Sequence, residues 1–116
     1  MEDSILNSIK QFIGGLTPDY TVFDTDIIIL INSELATLHQ LGVGSEEPFQ
    51  ITGADETWSD FTSDKVYMNS VKEYIGLRVK MIFDPPQNSF IMDAYKEKAQ
   101  ELAWRLNVAC ENDGNY

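Results

Sequence analysis

Apolar residues recur at spacings of three and four positions in four stretches of the chain, and this spacing places them on one face of an α-helix. The predicted helices cover residues 3–14, 24–41, 65–83 and 89–110. Glycines end the first two helices, and a proline pair separates the last two because proline cannot continue a helix. The sequence therefore predicts a single, mostly all-α domain over residues 1–116, built as a small bundle of about four helices.

The second stretch contains the most apolar run of the chain, residues 27–31. This run alone could form a buried strand, but the helical spacing continues as far as Leu41 and therefore favours a helix. Asp24 and Asp26 lie at its start. We expect them to cap the helix, because carboxylates there accept backbone N–H groups and oppose the helix dipole.

The last two predicted helices are separated by Phe83, Asp84, Pro85 and Pro86, which we call the elbow. Each proline lacks a backbone N–H, and Pro85 also disfavours the helical conformation at Asp84. We expect the prolines to hold the two helices antiparallel. Asp84 is expected to accept backbone N–H groups or to cap the next turn.

The two helices around the elbow are each predicted to have an apolar and a polar face. The third should turn inward Tyr67, Val71, Tyr74, Ile75, Leu77, Met81 and Ile82. It should turn outward Lys65, Asn69, Lys72, Glu73, Gly76 and Lys80. The fourth should turn inward Ile91, Ala94, Tyr95, Leu102, Leu106 and Ala109, and outward Asp93, Lys96, Glu97, Gln100 and Asn107.

Residues 42–63 are rich in turn-forming residues and are predicted to form a long loop or a small β-hairpin, without helix. A connection of this length inside a small domain is unusual, and long loops are commonly functional or disordered. Trp58 and Phe61 favour a loop that packs against the rest of the protein.

The charge of the chain is unevenly distributed. The formal net charge is −11. All of it belongs to residues 1–64, where twelve acids accompany one base, Lys10, whereas residues 65–116 hold seven of each. Nucleic-acid affinity depends mainly on basic groups that release counterions, so this chain is not expected to hold DNA. A strongly acidic surface either serves solubility or repels DNA.

Composition and motifs predict a soluble protein without an active site. A hydrophobic share of 43% is typical of a globular domain, the one cysteine suits a reducing compartment, and no signal peptide or membrane span is apparent. His39 and Cys110 lack partners at metal or catalytic spacing, and the acid pairs Asp24/Asp26 and Glu46/Glu47 do not follow a calcium-loop pattern. We therefore predict no catalytic residue, no metal, no cofactor and no enzymatic activity.

Trp104 falls on the outward side of the last helix, beside Glu101 and Arg105. It could lie over the edge of the helix pair, or it could anchor a partner, since Trp and Arg are enriched where proteins dock. The pair Glu101–Arg105 contributes only a few tenths of a kcal/mol by itself. With Arg78, these residues form the candidate subunit interface.

Residues 71–86, VKEYIGLRVKMIFDPP, and 101–109, ELAWRLNVA, resemble the head–tail connector (adaptor) proteins of tailed bacteriophages. Members of that family pair a basic–apolar–apolar–Phe-Asp-Pro-Pro elbow with a Glu-Leu-x-Trp-Arg ending at about this separation. The resemblance covers residues 66–110, somewhat under half of the chain.

The resemblance implies a structural virion protein, made in the host cytoplasm, that forms a closed dodecameric ring between the portal protein and the stopper or tail-completion protein. Packaged DNA would pass through the ring without sequence-specific binding. A ring needs two different faces of one subunit to meet. Four acids, Glu46, Glu47, Asp55 and Glu56, are then expected to face the channel or a neighbouring ring, because like charge repels DNA.

Two other functions stay open. Another neck protein, such as a stopper or terminator, would be richer in β-strand. A small acidic DNA mimic or regulatory adaptor would instead occupy a basic site on a partner and form no ring.

Overall fold

The computed structural model describes residues 4–44, 47–62 and 68–113, with the backbone alone for residues 110–113. It contains five helices: α1 (Ile5–Gly14), α2 (Asp24–Gln40), α3 (Trp58–Phe61), α4 (Met68–Phe83) and α5 (Ser89–Asp113). The mostly helical fold predicted from the sequence is confirmed. Within these described residues the only β pairing is a single bridge between Ser4 and Thr57.

Helix α4 lies at the centre of the bundle and packs against α1, α2 and α5. The side-chain contacts of α2 run from Phe23 beside Phe83 to Glu34 beside Arg78, so α2 and α4 are antiparallel. Helix α1 crosses α4 closely at Gly76, where a Cβ atom would lie 2.6 Å from Cδ1 of Phe12. The absence of a side chain at Gly76 lets the two helices approach.

One core joins all five helices. It consists mainly of aliphatic side chains, and its fully buried members include Ile5, Leu6, Ile9, Ile13, Ile27, Ile31, Leu35, Leu38, Ile51, Ile75 and Leu106. Among the described side chains of α5, the buried members of this core are Ala99, Leu102 and Leu106. The first turns of this 25-residue helix therefore extend along α4 with much of their surface exposed.

The described part of the 42–63 connection is a loop that docks on the bundle. The side-chain amide of Asn32 donates to the Ile51 carbonyl at 3.0 Å and accepts from the Ile51 N–H at 2.8 Å, as a neighbouring strand would. The buried indole of Trp58 donates to Oγ of Ser8 at 3.1 Å. Packing of Trp58 and Phe61 on the bundle is as expected.

The prediction that this connection contains no helix was wrong. Residues Trp58–Phe61 form the one-turn helix α3. Its start is a capping box, in which Thr57 and Asp60 each accept the other's backbone N–H. This reciprocal bonding satisfies N–H groups that a turn this short would otherwise leave unpaired.

Some face assignments also need correction. Gly76, expected to point outward, is buried against Phe12. Ile82, Ile91 and Ala94, expected inside, are exposed because α1 and α2 leave this side of the α4–α5 pair uncovered. Tyr67 and Lys65 lie outside the described residues.

Asp24 does not cap α2, whose N-cap residue is Phe23 and has no side-chain capping bond. Its Oδ1 lies instead 2.8 Å from Nζ of Lys10. Lys10 is fully buried and also donates to the Tyr20 carbonyl at 2.7 Å and the Pro18 carbonyl at 3.4 Å. The first-half base thus ties the loop between α1 and α2 to the core.

Candidate assembly surfaces

The elbow is an ordered turn with its own contacts. The Asp84 N–H continues the α4 ladder to the Lys80 carbonyl, and its carboxylate lies 3.6 Å from the Lys80 ammonium. The ring of Phe83 packs edge-on against the ring of Phe23, the N-cap residue of α2, with centroids 5.3 Å apart. The elbow is therefore held to the start of α2 as well as joining α4 to α5.

The expected capping role belongs to a different residue. Oδ1 of Asn88 accepts the N–H groups of Phe90 at 2.8 Å and Ile91 at 3.4 Å. The Asn88 carbonyl then accepts the first helical bond, from Met92. Asn88, not Asp84, is the N-cap of α5, since the two prolines occupy the turn before the chain can re-enter the helix.

Trp104, Arg105 and Glu101 lie together on the outer side of α5. The Arg105 guanidinium lies 2.6 Å from a carboxylate oxygen of Glu101 in an exposed i,i+4 pair. Trp104 is 67% exposed, so most of its indole contacts nothing in this subunit. Of the two sequence interpretations, an indole lying over the helix pair is therefore the weaker.

Arg78 lies apart from that trio, on α4. Its Nε is 3.3 Å from Oε1 of Glu34, a buried carboxylate on α2. Burial raises the pKa of Tyr74, and the neighbouring Glu34 carboxylate, which also hydrogen-bonds to it, raises it further. Tyr74, Glu34 and Arg78 thus form a polar link between α2 and α4, in which the neutral phenol is favoured.

An open groove lies between the second half of α4 and the first half of α5. Its volume is about 330 Å³, and it is lined by Arg78, Met81, Ile82, Met92, Lys96 and Gln100. Two cations and three long apolar side chains are an unusual lining for the surface of an acidic protein. The groove suits an apolar, acidic protein surface better than a small polar substrate.

The four acids expected to face a channel differ in role. Glu56 is tied into its own loop: its carboxylate accepts from the Thr52 N–H at 2.9 Å, the Thr52 hydroxyl at 2.8 Å and the Gly53 N–H at 3.3 Å. Burial alone would raise the pKa of Glu56, but these hydrogen bonds outweigh it and lower the pKa. Glu47 and Asp55 are exposed, and Glu46 lies outside the described residues.

A candidate metal site is not present among the described residues. Residues 4–44, 47–62 and 68–113 contain no group of three or more His, Cys, Asp and Glu that could hold a metal ion. His39 is partly buried on α2, and the side chain of Cys110 is outside the described set. No helix among these residues is long and apolar enough to cross a membrane.

Sequence reasoning missed two features that shape these surfaces. The groove was missed because the hydrophobic pattern placed Ile82 and Met81 in the core, whereas the bundle leaves them at its edge. The burial of Lys10 was also missed. Two signals were available. Lys10 is the single base of residues 1–64, which hold twelve acids, and it lies within an apolar helix, directly after Ile9 and three positions before Ile13.

A family model described as "Phage connector protein" matches residues 5–113. That range contains all five helices, the elbow and the groove. Neither a curated protein nor a solved structure shows a match to this chain.

Proposed function

The chain belongs to the phage connector protein family, and from this premise we propose that it is a head–tail adaptor whose subunits form a ring between the portal protein and the stopper or tail-completion protein. Membership makes it a structural phage protein that works by associating with other head and tail components. The ring, its twelvefold stoichiometry, the two partner proteins and the place at the head–tail interface are the finer parts of the proposal.

The observation that supports assembly most directly is the exposed indole of Trp104 beside the Arg105–Glu101 pair. A large aromatic side chain exposed on a rigid helix presents apolar area at low entropic cost. Neither the Glu101 pair nor the core of the subunit accounts for its position. It is the residue we expect to bury most area when subunits associate.

The test compares the two tryptophans. Trp104→Ala should leave the melting temperature of the subunit nearly unchanged while abolishing rings in negative-stain images of the protein with its portal. Trp58→Ala, at a buried position, should lower the melting temperature sharply, since large-to-small aromatic substitutions in cores cost about 3–5 kcal/mol. A Trp104→Ala subunit that melts early, or that still forms rings, would contradict the proposed interface.

A conduit for DNA requires a wall that does not hold phosphate groups. Lys10, the only base of residues 1–64, is buried, so the described surface of that half carries no lysine or arginine. Asp55 is exposed and makes no structural bond comparable to that of Glu56, so it is the better probe of a channel role. Asp55→Asn rings should retain more DNA at low ionic strength than unchanged rings. Equal retention across ionic strength would remove Asp55 from the wall.

The same acidic surface also suits a DNA mimic that occupies a basic site on a nucleic-acid-binding protein. Binding of that kind would be tight and salt-sensitive and would need no ring. The helical fold is less favourable to a stopper or terminator, for which we expected more β-strand.

A further inference from the structure

We propose that the α4–α5 groove of one subunit receives the outer face of α2 from the next subunit, so that association is head-to-tail. This inference rests on the proposed ring and names two surfaces that meet in it, in addition to the contact expected of Trp104. The groove is lined by Arg78, Met81, Ile82, Met92, Lys96 and Gln100. The face that enters it, which we call the α2 outer stripe, consists of Val22, Asp26, Ile29, Ser33 and Ala36.

The α2 outer stripe has the geometry of a docking helix. Its members within the helix, Asp26, Ile29, Ser33 and Ala36, follow one another at intervals of three and four residues, so they lie on one face. Val22 lies just before the helix, and all five residues are exposed. The buried residues of α2, such as Ile27, Ile31 and Leu38, lie on the opposite face. Val22 is 70% exposed and Ile29 61% exposed, which leaves two β-branched apolar side chains without a partner in the subunit.

The rest of the α2 outer stripe consists of small residues, whose side chains project little from the helix. Ser33 and Ala36 continue the face after Ile29, so another pair of helices can approach the backbone of α2 there. An amphipathic helix binds a groove through anchors at such positions. Ile29 is the expected anchor, with the apolar side chains of Met81, Ile82 and Met92 as its surroundings.

Charge selects a second copy of this chain as the occupant. Two subunits of net charge −11 repel each other unless their contact pairs opposite charges. The described part of the front half exposes no lysine or arginine, because Lys10 is buried. Cations that could meet an acidic neighbour must therefore come from the second half of the chain.

The groove supplies such cations. Its lining contains Lys96, which is exposed, and Arg78. The Nε of Arg78 contacts Glu34, but 43% of the Arg78 side chain is exposed. No carboxylate contributes to the lining as described. Asp26 on the α2 outer stripe, one turn before Ile29, can approach these two cations when Ile29 enters the groove.

This pairing joins different faces of identical subunits. A contact of that kind is heterologous and propagates until the rotation per subunit closes a ring, whereas a symmetric contact stops at a dimer. The front halves of two copies meeting each other symmetrically would bring acid against acid. The charge distribution therefore favours propagation over a closed dimer.

Cross-linking tests the proposal directly. The double variant Ile29→Cys/Ile82→Cys, made in a Cys110→Ser background, carries one cysteine on each proposed surface, and both sites are exposed in the subunit. With a short bismaleimide it should give a ladder of dimers, trimers and larger species. Ile29→Cys alone should stay monomeric, and an equimolar mixture of the two single variants should stop at dimers. Dimers from Ile29→Cys alone would indicate a symmetric contact and overturn the proposal.

A charge reversal supplies the second arm. Lys96→Glu in the cross-linking background should abolish the ladder, and adding Asp26→Lys should restore it, because the reversed pair attracts again. Rescue would not occur if Lys96→Glu merely harmed the fold. A ladder unaffected by Lys96→Glu would overturn the electrostatic part of the pairing.

The experiment is run on purified protein at high concentration and on phage particles. If the protein sediments with particles but the double variant gives no ladder, the pairing of α2 with the groove is wrong and the proposed function stands. If the protein is missing from particles, the proposed function fails. The pairing is then judged on the purified protein alone, where absence of the ladder overturns it.

Discussion

Gly76→Ala tests the close crossing of α1 and α4 that organises the bundle. Gly76 lies inside α4, where glycine is less favourable than alanine by about 1 kcal/mol. Helix propensity alone therefore predicts a more stable protein. Packing predicts the opposite, because the new Cβ would lie 2.6, 2.7 and 2.9 Å from Cδ1, Cγ and Cε1 of Phe12.

The contact geometry decides which effect is larger. Cγ of Phe12 is bonded directly to Cβ, whose position the α1 backbone fixes. Relieving the overlap therefore requires a new rotamer of Phe12 or a wider spacing between the two helices. Overpacking of this kind costs about 1–3 kcal/mol. After the propensity gain of about 1 kcal/mol is subtracted, we expect a net loss of up to about 2 kcal/mol in the free energy of unfolding.

Urea unfolding followed by far-UV circular dichroism measures this change as a shift in midpoint at constant slope. Gly14→Ala is the matched control, since Gly14 is also in a helix and a Cβ there meets nothing within 4 Å. It should be neutral or slightly stabilising. In a Phe12→Ala background, Gly76→Ala should stabilise the protein, because the ring that opposed the methyl group is gone.

The double-mutant cycle gives the refuting result. A coupling of about 1–3 kcal/mol between Phe12 and Gly76 is expected. If Gly76→Ala stabilises the unmodified chain as it does the Phe12→Ala chain, the coupling is zero. The two helices would then not be held at the separation described, and the account of the crossing would be wrong.

Two further substitutions test polar contacts. Lys10→Met removes the partner of Asp24 and of two loop carbonyls and should lower the free energy of unfolding by about 2–3 kcal/mol, which is below the range for a fully buried pair because Asp24 is partly exposed. The control Lys96→Met, at an exposed site, should change the free energy of unfolding by less than about 0.5 kcal/mol, and equal effects of the two substitutions in urea unfolding would contradict the role given to Lys10. Glu56→Gln should cost about 0.5–1.5 kcal/mol at neutral pH, because it weakens the hydrogen bonds from Thr52. Since the pKa of Glu56 is lowered in the folded state, its stabilisation is present above the unfolded value of 4.5 and is lost as pH falls through the lower folded value. The difference between Glu56→Gln and the unchanged chain should therefore shrink in acid, and a difference that persists there would refute the role given to the carboxylate.

Local sequence rules were sufficient for α1, α2, α4 and α5 because the causes of these four helices are local. The intervals between Ile27, Ile31 and Leu38 put these side chains on one face of a helix. The proline pair must end α4 wherever the rest of the chain lies. The Phe-Asp-Pro-Pro and Glu-Leu-x-Trp-Arg motifs carried the resemblance to the family whose model later matched residues 5–113. The outward side of Trp104 followed from its place off the apolar stripe, whereas the sequence left open whether the indole lies over the helix pair.

Chain order and composition determined that this protein is a set of amphipathic helices with its negative charge in the first half. Tertiary structure alone decided that Gly76 is a crossing point, that Lys10 lies inside, and that Ile82 borders a groove. The physical reason is that a helix face is apolar or polar by sequence, whereas burial depends on which neighbour reaches it. Near the elbow α1 and α2 leave part of the α4–α5 pair uncovered, and the apolar side chains exposed there are available to another subunit.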